Sequence, residues 1–409
     1  MSGMITVEEA LARVLAAAEA PLAEERVPLE EAFGRVLARD LAALRTQPPF
    51  ANSAMDGYAV RSAETRGAPV ALRVIGEAAA GRAFDGALGA GEAVRIFTGA
   101  PTPAGADAVV VQEDVAREGE IVRLTAPVPA GDNLRPEGLD FRSGETLIRA
   151  GRRLTPRDVA LAAAANHDGL VVRRHPRVAI LATGDELVAP GEPIGPAQIV
   201  ASNNFTVAGI VEACGGIPID LGIARDTMAS LDAAIRAALE AKPDVFVTLG
   251  GASVGDHDLV QKALGAAGME LGFWKIAMRP GKPLMHGRLG TTRVLGLPGN
   301  PTSSTVCAVL FLRPLVRALH GEPDPGADPT QPARLGADVR ANGARQDYQR
   351  CALARDAEGR LVATPAALQD SSLVKVMAEA EGLIVRPPNA ETARAGDACR
   401  VLVLRELGV

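Results

Sequence analysis

Residues 177–320 alternate between strand-like and helix-like apolar patterns, and this alternation constrains the fold more than any other feature of the sequence. The short strand-like runs occupy residues 178–182, 217–223, 245–249, 271–277 and 294–297. The longer helix-like runs occupy residues 199–213, 228–241, 257–267 and 302–319. Because strands and helices follow each other in strict order, the pattern predicts an α/β domain with a mostly parallel, doubly wound sheet.

The rest of the 409-residue chain is long enough for further domains at ~150 residues each. Helical patterns begin at Thr6, at residue 29 after Pro28, and at Thr155, so residues 1–45 and 141–176 predict a helical, partly extended domain that is split in sequence. Short apolar runs between glycine, proline and aspartate turns predict a β insert domain over residues 46–140. The α/β domain then covers residues 177–325, and a C-terminal β-barrel covers residues 326–409.

The overall charge is acidic, with 43 Lys and Arg against 49 Asp and Glu and a net charge of −6. No general basic field exists to attract nucleic acid or anionic lipid, so we expect neither a nucleic acid nor a membrane as partner. The apolar runs are too short for a transmembrane span of ~20 residues, and the N-terminus does not resemble a signal peptide. The four cysteines are far apart, without metal-ligand spacing. These features predict a cytoplasmic protein.

Polar residues and glycines follow each predicted strand of the α/β domain. Ligands of open α/β sheets bind beyond the carboxyl ends of the strands, so these residues form the candidate site. Its carboxylates are Asp185, Glu186, Asp226, Asp256 and Asp258, and its cations are Lys275, Arg279 and Lys282. Such a mixture suits Mg²⁺ that bridges a polyphosphate while cations hold the oxygens. For Asp226 and Asp256, simple capping of the following helix is an equally good interpretation.

Two loops in this set have the composition of anion-binding loops. Gly250-Gly251 precedes Ser253, and Pro298-Gly299-Asn300-Pro301 leads into a helix whose first turn contains Ser303 and Ser304. The free N–H groups at a helix N-terminus favour phosphate or another oxyanion. When either loop is considered alone, ordinary turn chemistry, with an asparagine cap and proline at the first helical position, is the favoured interpretation.

A further polar stretch lies at residues 48–60, where Asn52, Ser53 and Asp56 stand between prolines and a strand. An ordinary linker with an Asx turn is one interpretation. Considered together with the strand-end loops, however, the stretch resembles the molybdopterin molybdenumtransferase family. The resemblance runs through the whole chain, and its most specific segments are residues 49–59 (PFANSAMDGYA), 98–101 (TGAP), 140–145 (DFRSGE), 183–187 (TGDEL), 250–258 (GGASVGDHD), 279–283 (RPGKP) and 297–301 (LPGNP).

The resemblance implies a homodimer whose active site lies between the α/β domain of one subunit and the β insert of the other. It also implies the reaction: molybdenum from molybdate is inserted into adenylylated molybdopterin, AMP is released with Mg²⁺ as cofactor, and the molybdenum cofactor is completed. Molybdopterin adenylyltransferase and other proteins of the cofactor pathway are the implied partners.

Residue roles also follow from the resemblance. Asp56, Thr98 and Asp140 come from the insert, whereas Glu186, Asp226, Asp256 and Asp258 surround the pyrophosphate, with Glu186, Asp256 and Asp258 as metal ligands. Cationic contacts come from Lys275, Arg279 and Lys282, and molybdate contacts from Ser253, Arg279 and Ser303. The remaining substrate-binding residues are Gly250, Gly251, Pro298, Asn300, Pro301, Arg350 and Ser371. Arg279 stands where some relatives have lysine, which replaces a point charge with a fork of donors.

Two other functions compete with this one. The preceding enzyme of the pathway adenylylates molybdopterin with ATP and resembles only the α/β domain, so it would lack Asp56, Thr98 and Asp140. A scaffold protein that merely binds the intermediate or a partner would have no use for the set of acidic residues.

Overall fold

The computed structural model describes residues 4–251 and 259–409. Its centre is a six-stranded α/β sheet whose strands lie in the spatial order Ile217–Ala224, Arg177–Thr183, Val245–Leu249, Thr292–Leu297, Pro283–Leu289 and Glu270–Lys275. The first four strands are parallel to one another. The predicted parallel sheet is therefore confirmed. The sequence pattern missed the strand Pro283–Leu289, which pairs antiparallel with both of its neighbours.

Helices cover both faces of this sheet, as a doubly wound arrangement requires. They are Asn203–Ala213, Met228–Glu240, Leu259–Ala266, Pro301–Cys307 and Arg313–Leu319, with a π-helical turn at Ala308–Leu312 between the last two. One apolar core contains Val207 and Leu315, and a second core on the opposite face contains Leu231 and Val260. Each core is closed by strand side chains that alternate between the two faces.

The long helical segment Pro301–Leu319 is apolar enough to cross a membrane by length and composition alone. However, 78% of its most apolar window is buried inside the protein. Its apolar residues therefore pack in the core between the sheet and the N-terminal helix, as those of a buried core helix do.

The N-terminal region contains the helix Val7–Ala16, which Thr6 caps by accepting a 3.1 Å hydrogen bond from the Glu9 N–H. The capped helix after Thr155 is also confirmed, at Pro156–Ala164. The predicted helix over residues 29–40 is wrong, because the structure has only a 3₁₀ turn at Leu29–Glu31 there. Gly34 follows this turn with φ +75°, a conformation that ends a helix. The strands of this region pair across the split in sequence, Glu24–Pro28 with Gly169–Arg173 and Leu41–Ala42 with Thr146–Ile148.

The insert is a curved six-stranded sheet that forms a half-barrel. Its strands lie in the order Ala108–Val111, Gly57–Val60, Glu92–Ile96, Val70–Ala78, Ile121–Leu124 and Val115–Glu118. A short pair, Asn52–Ser53 with Leu134–Arg135, and a single helical turn, Ser62–Thr65, complete the region.

The C-terminal region is the predicted barrel, closed by five strands. These are Gln331–Leu335, Gln346–Arg355, Leu361–Pro365, Gly382–Arg386 and Ala398–Val403, and pairing of the second with the fourth closes the circle. A short helix, Val374–Ala378, lies beside it. Two further short strands, Leu187–Val188 and Ile199–Val200, pair next to the α/β sheet.

Candidate functional site

A cavity of about 1150 Å³ lies at the carboxyl ends of the parallel strands. Within the described chain, its lining comes from the loops that follow those strands, from the start of the helix Asn203–Ala213, and from Ser372 and Val374 beside the barrel. The sequence analysis placed the candidate site at this edge of the sheet, and seven of the predicted site residues line the cavity. Those that line the cavity are Glu186, Asp226, Gly250, Gly251, Pro298, Asn300 and Pro301.

Asp185 connects the loop after the strand Arg177–Thr183 to the loop after the strand Ile217–Ala224 by hydrogen bonds. Its carboxylate accepts a 3.2 Å hydrogen bond from the Asp226 N–H, and its carbonyl accepts one of 3.0 Å from the Arg225 guanidinium. Asp226 does not cap the helix that follows, because Thr227 occupies the cap and accepts from the Ser230 N–H. The capping interpretation of Asp226 is therefore wrong, and Asp226 is instead one of the residues that line the cavity.

Desolvation raises the pKa of Asp226, and the negative charges of Asp185 and Glu186 raise it further. Three carboxylates thus lie close enough to repel one another, and Asp226 and Glu186 both line the cavity. Among the described residues, no group of three or more histidine, cysteine or acidic side chains forms a ready metal cage. Asp256 and Asp258, the other two predicted metal ligands, lie outside the described residues, as does Ser253.

Gly250 and Gly251 need to be glycine. Their φ angles are +98° and +63°, and a Cβ atom would come within 2.7 Å of the Thr183 carbonyl oxygen at Gly250 and 2.1 Å of the Val260 side chain at Gly251. Side chains are therefore excluded from this turn, and it contributes bare backbone to the cavity wall.

The second loop, Pro298-Gly299-Asn300-Pro301, is held from two sides. The Asn203 side-chain amide donates a 2.7 Å hydrogen bond to the Gly299 carbonyl, and the Asn300 side-chain amide donates one of 3.0 Å to the Ser371 hydroxyl. Pro301 is the first helical residue, as predicted, but the Asn300 side chain makes no capping bond to the helix. Asn300 instead connects the loop to the C-terminal barrel region.

Arg350 supports the same loop from behind. This barrel residue is 1% exposed, and its guanidinium donates to the Thr302 hydroxyl at 3.2 Å and to the Asp370 carbonyl at 2.8 Å. The Thr302 N–H donates to the Ser371 carbonyl at 3.1 Å. Ser303, the next residue along, is also buried, and it is not among the described residues that line the cavity.

The three predicted cations lie on one connection beside the cavity. Lys275 ends the strand Glu270–Lys275, with its ammonium 5.3 Å from the centre of the Trp274 ring. The Lys282 carbonyl accepts a 3.0 Å hydrogen bond from the Ile276 N–H, which closes the loop. Lys282 directly precedes Pro283, a lining residue of the cavity. Arg279, between the two lysines, is exposed.

The insert provides a second acidic group. The Thr98 N–H and the Thr98 hydroxyl both donate to one carboxylate oxygen of Asp56, each at 2.8 Å. These two bonds lower the pKa of Asp56, and the nearby Arg95 lowers it further. Asp56 and Thr98, matched separately from the sequence, thus form one unit.

The insert residues are not part of the cavity of their own chain, since no insert residue is among the described residues that line it. The Asp140 N–H donates a 3.0 Å hydrogen bond to the Gln47 carbonyl, at the end of the insert. The insert also exposes large apolar residues: Phe50 is 41% accessible, Met55 44% and Leu139 59%.

Sequence reasoning missed Asn203, which lines the cavity and binds the Gly299 carbonyl. The signal was available, because three polar residues, Ser202, Asn203 and Asn204, begin a helix in a region that is otherwise apolar. Because the helix-like apolar pattern extends back to residue 199, it does not mark these polar residues as the N-terminus of the helix.

Comparison with known proteins covers the chain almost completely. Residues 5–166 match the MoeA N-terminal region (domain I and II), residues 179–318 a probable molybdopterin binding domain, and residues 332–404 the MoeA C-terminal region (domain IV). The chain is 34% identical over 396 residues to the molybdopterin molybdenumtransferase of Haemophilus influenzae, covering 96% of this chain and 97% of that protein. It is 35% identical over 390 residues to the molybdopterin molybdenumtransferase of Bacillus subtilis, covering 93% and 90%.

Solved structures agree. The chain superposes on a molybdopterin biosynthesis MoeA protein from Pyrococcus horikosii with a TM-score of 0.84 at 32% identity, covering 98% of this chain and 99% of that one. A second MoeA structure from Pyrococcus horikoshii gives a TM-score of 0.83 at 27% identity, covering 98% and 100%.

Proposed function

Because the chain belongs to the molybdopterin molybdenumtransferase (MoeA) family, we propose that it inserts molybdenum from molybdate into adenylylated molybdopterin and releases AMP. The observation that carries this proposal is the cavity at the strand ends, which combines carboxylates, bare glycine backbone and a proline-rich loop. A phosphoanhydride and a tetrahedral oxyanion need N–H and cationic donors, and a divalent cation needs carboxylates. This reaction completes molybdenum cofactor biosynthesis.

The residues present fit Mg²⁺. Asp226 and Glu186 line the cavity, and burial raises the pKa of Asp226, with a further rise from the negative charges of Asp185 and Glu186. A hard divalent cation takes carboxylate oxygens and would offset that repulsion. Glu186, Asp256 and Asp258 would hold it, with Asp226 beside them. When bound, Mg²⁺ would neutralise charge on the phosphoanhydride oxygens.

The cationic and backbone donors would bind the anionic groups. Lys275, Arg279 and Lys282 lie on the connection next to the cavity and supply positive charge for phosphate and molybdate oxygens. Gly250, Gly251 and the loop from Pro298 to Pro301 supply close backbone approach. Ser253 and Ser303 are assigned to the molybdate oxyanion on the basis of the resemblance. Arg350 and Ser371 orient this loop through their bonds to Thr302 and Asn300.

The insert would complete the site in another subunit of a homodimer. Asp56, Thr98 and Asp140 are not among the described residues that line the cavity of their own chain, and Phe50, Met55 and Leu139 are exposed large apolar residues close to Asp56 or Asp140 in sequence. Exposed apolar side chains that are bordered by polar residues are typical of a protein interface. The Asp56 carboxylate, fixed by Thr98, would then face the substrate bound by the partner subunit.

The division into domains at residues 46, 141, 177 and 326 remains our assignment, and each of the four regions contains an apolar cluster of its own. We propose that the enzyme is cytoplasmic, which fits its four free cysteines and the burial of the helix Pro301–Leu319 inside the protein. We also propose that it receives its substrate from molybdopterin adenylyltransferase. Free thiols are typical of reducing compartments.

The test supplies purified protein with adenylylated molybdopterin and molybdate, with and without Mg²⁺. We expect AMP release, measured by chromatography, and cofactor that restores activity to an apo-molybdoenzyme, both dependent on Mg²⁺. Glu240→Gln, on an exposed helix end away from the cavity, is the matched control and keeps full activity. Absence of AMP release, or ATP-dependent adenylylation of molybdopterin by the same protein, would contradict the proposal.

A further inference from the structure

The backbone of Arg279 is paired with the barrel, although its connection begins at the α/β sheet. Residues Met278–Arg279 form a short strand that runs parallel to the barrel strand Gln346–Arg355. The Gln346 N–H donates a 2.9 Å hydrogen bond to the Ala277 carbonyl, and the Met278 side chain is fully buried. The strand pairing therefore holds the backbone of Arg279 against the barrel.

Asp347 is the residue directly opposite Arg279 in this pairing. Opposed residues of adjacent strands project to the same face of a sheet, so the carboxylate and the guanidinium share one side of the pair. Asp347 is only 7% exposed, which is unusual for a carboxylate that is not part of an ion pair. Within the described chain, it accepts no hydrogen bond from a side chain and no cation lies within contact distance of it.

The surroundings of Asp347 are cationic. Burial raises the pKa of its carboxyl, whereas Arg279 opposes that rise most strongly, followed by Arg345 and Arg386. Arg386 is already engaged, because its guanidinium donates to the Glu391 carbonyl. Arg279 is the exposed member of this group and lies on the connection that leads to the cavity at Pro283.

We propose that Asp347 is a positioning residue that orients the Arg279 guanidinium toward the anionic substrate. The proposal rests on the proposed function, which assigns Arg279 to phosphate and molybdate oxygens. An exposed arginine loses side-chain entropy when it binds an anion. The attraction of a carboxylate on the same face, which acts here without direct contact, reduces that loss by favouring some conformations of Arg279 beforehand. Arginine suits this arrangement better than lysine, since its planar fork has donors for two acceptors at once.

A purely structural role for Asp347 is the alternative, because it also stands opposite Arg386 in the antiparallel pairing that closes the barrel. If Asp347 were needed only for that barrel pairing, its substitution would lower the stability of the protein and leave anion binding by Arg279 unchanged. The two roles are separated by a double-mutant cycle between positions 347 and 279, which isolates the coupling of the two side chains.

The experiment compares wild type, Asp347→Asn, Arg279→Gln and the double variant. Affinity for inorganic pyrophosphate is measured by calorimetry, which does not depend on turnover. We expect Asp347→Asn to weaken pyrophosphate binding about threefold to tenfold in the wild-type background and to have no effect in the Arg279→Gln background. Asp347→Glu should restore part of the affinity, and Glu358→Gln, on an exposed barrel turn, is the matched control with unchanged affinity.

In turnover, Asp347→Asn should raise KM for adenylylated molybdopterin with kcat within about twofold of wild type, as expected for lost substrate binding. Equal weakening of pyrophosphate binding in both backgrounds, unchanged affinity in Asp347→Asn, or no pyrophosphate binding by wild type would each overturn the proposal. Failure of the proposed reaction alone has a different signature: pyrophosphate binds with the expected coupling, but no AMP is released.

Discussion

The two acidic halves of the candidate site hold their carboxylates in opposite ways. At the cavity, burial and the neighbouring Asp185 and Glu186 raise the pKa of Asp226. In the insert, the N–H and hydroxyl of Thr98 lower the pKa of Asp56. Asp56 is therefore stabilised as an anion by the protein itself, whereas at Asp226 burial and the neighbouring charges outweigh a single backbone hydrogen bond from Asp185.

This difference indicates different roles. A carboxylate whose charge is unfavourable in the free protein gains most when a cation binds, so the cavity acids are suited to a metal. A carboxylate that already has two donors on one oxygen is held in a fixed orientation, and its other oxygen remains for a substrate group. The cavity acids are thus suited to bind a cation, whereas the Asp56 carboxylate in the insert is already held in a fixed orientation.

The largest effect is expected on the cavity side. Asp226→Asn should lower kcat/KM for AMP release about 100-fold or more, because support of a bound metal is worth several kcal/mol in the transition state. The rate of AMP release should be measured as a function of Mg²⁺ concentration, with Glu240→Gln as control. If the variant has the same rate and the same Mg²⁺ dependence as wild type, Asp226 does not belong to the metal-binding half.

A smaller effect is expected when only the support of the cavity changes. Arg350→Lys should destabilise the fold by about 2 kcal/mol, since lysine cannot replace bonds to both Thr302 and Asp370. It should also raise KM about tenfold, because the loop from Pro298 to Pro301 shifts. Denaturant unfolding and steady-state kinetics measure these changes.

Arg95→Lys in the insert is the matched control for this prediction. Arg95 also donates to a backbone carbonyl, that of Gly57, but it is exposed to a greater degree and does not contact the loop. Its substitution should have little effect on stability. A larger loss of stability from Arg95→Lys than from Arg350→Lys would contradict the assigned support role of the barrel.

The smallest effects are opposite changes in stability from the same chemical substitution. The pKa of Asp226 is raised above its ordinary value of 3.8, so its ionisation opposes folding as the pH rises through the raised pKa. Asp226→Asn should therefore raise Tm at pH 7 without metal, by no more than about 2 °C because the side chain is partly exposed.

Asp56 should show the reverse. Its pKa is lowered from 3.8, so its stabilising effect is present at neutral pH and is lost as the pH falls below that value. Asp56→Asn should lower Tm slightly at pH 7 and leave it unchanged in strong acid. Thermal scans of both variants from pH 3 to pH 7 in the presence of a chelator check the signs, and two changes of equal sign would contradict the comparison.

Sequence reasoning was most successful where local pattern and tertiary role agree. The parallel strands are continuous apolar runs, because both faces of the sheet are covered, and they were predicted nearly residue by residue. The strand Pro283–Leu289 was missed because His286 and Gly287 interrupt its apolar pattern, although both are buried in the structure. The apolar spacing at residues 29–40 suggested a helix, yet Ala32 and Leu37 reach the same core from an irregular chain.

The site was predicted less completely, for a similar reason. The strand-end rule found Glu186, Asp226 and the two loops, since topology alone brings them together. Long-range contacts have no local signal, so the bond of Asn203 to Gly299 and the pairing of Arg279 with Asp347 were visible only in the structure. The Asp56–Thr98 unit also spans 42 residues of sequence.

The central claim, that one subunit supplies the cavity and another supplies Asp56, is tested most directly by complementation. Asp56→Asn and Asp226→Asn are each expected to be nearly inactive, and they are co-expressed with different tags so that heterodimers can be isolated. In such a heterodimer one site combines the intact cavity with the intact insert, so we predict about half of wild-type AMP release per dimer. A heterodimer with no more activity than the separate variants, or the absence of any heterodimer, would contradict the account.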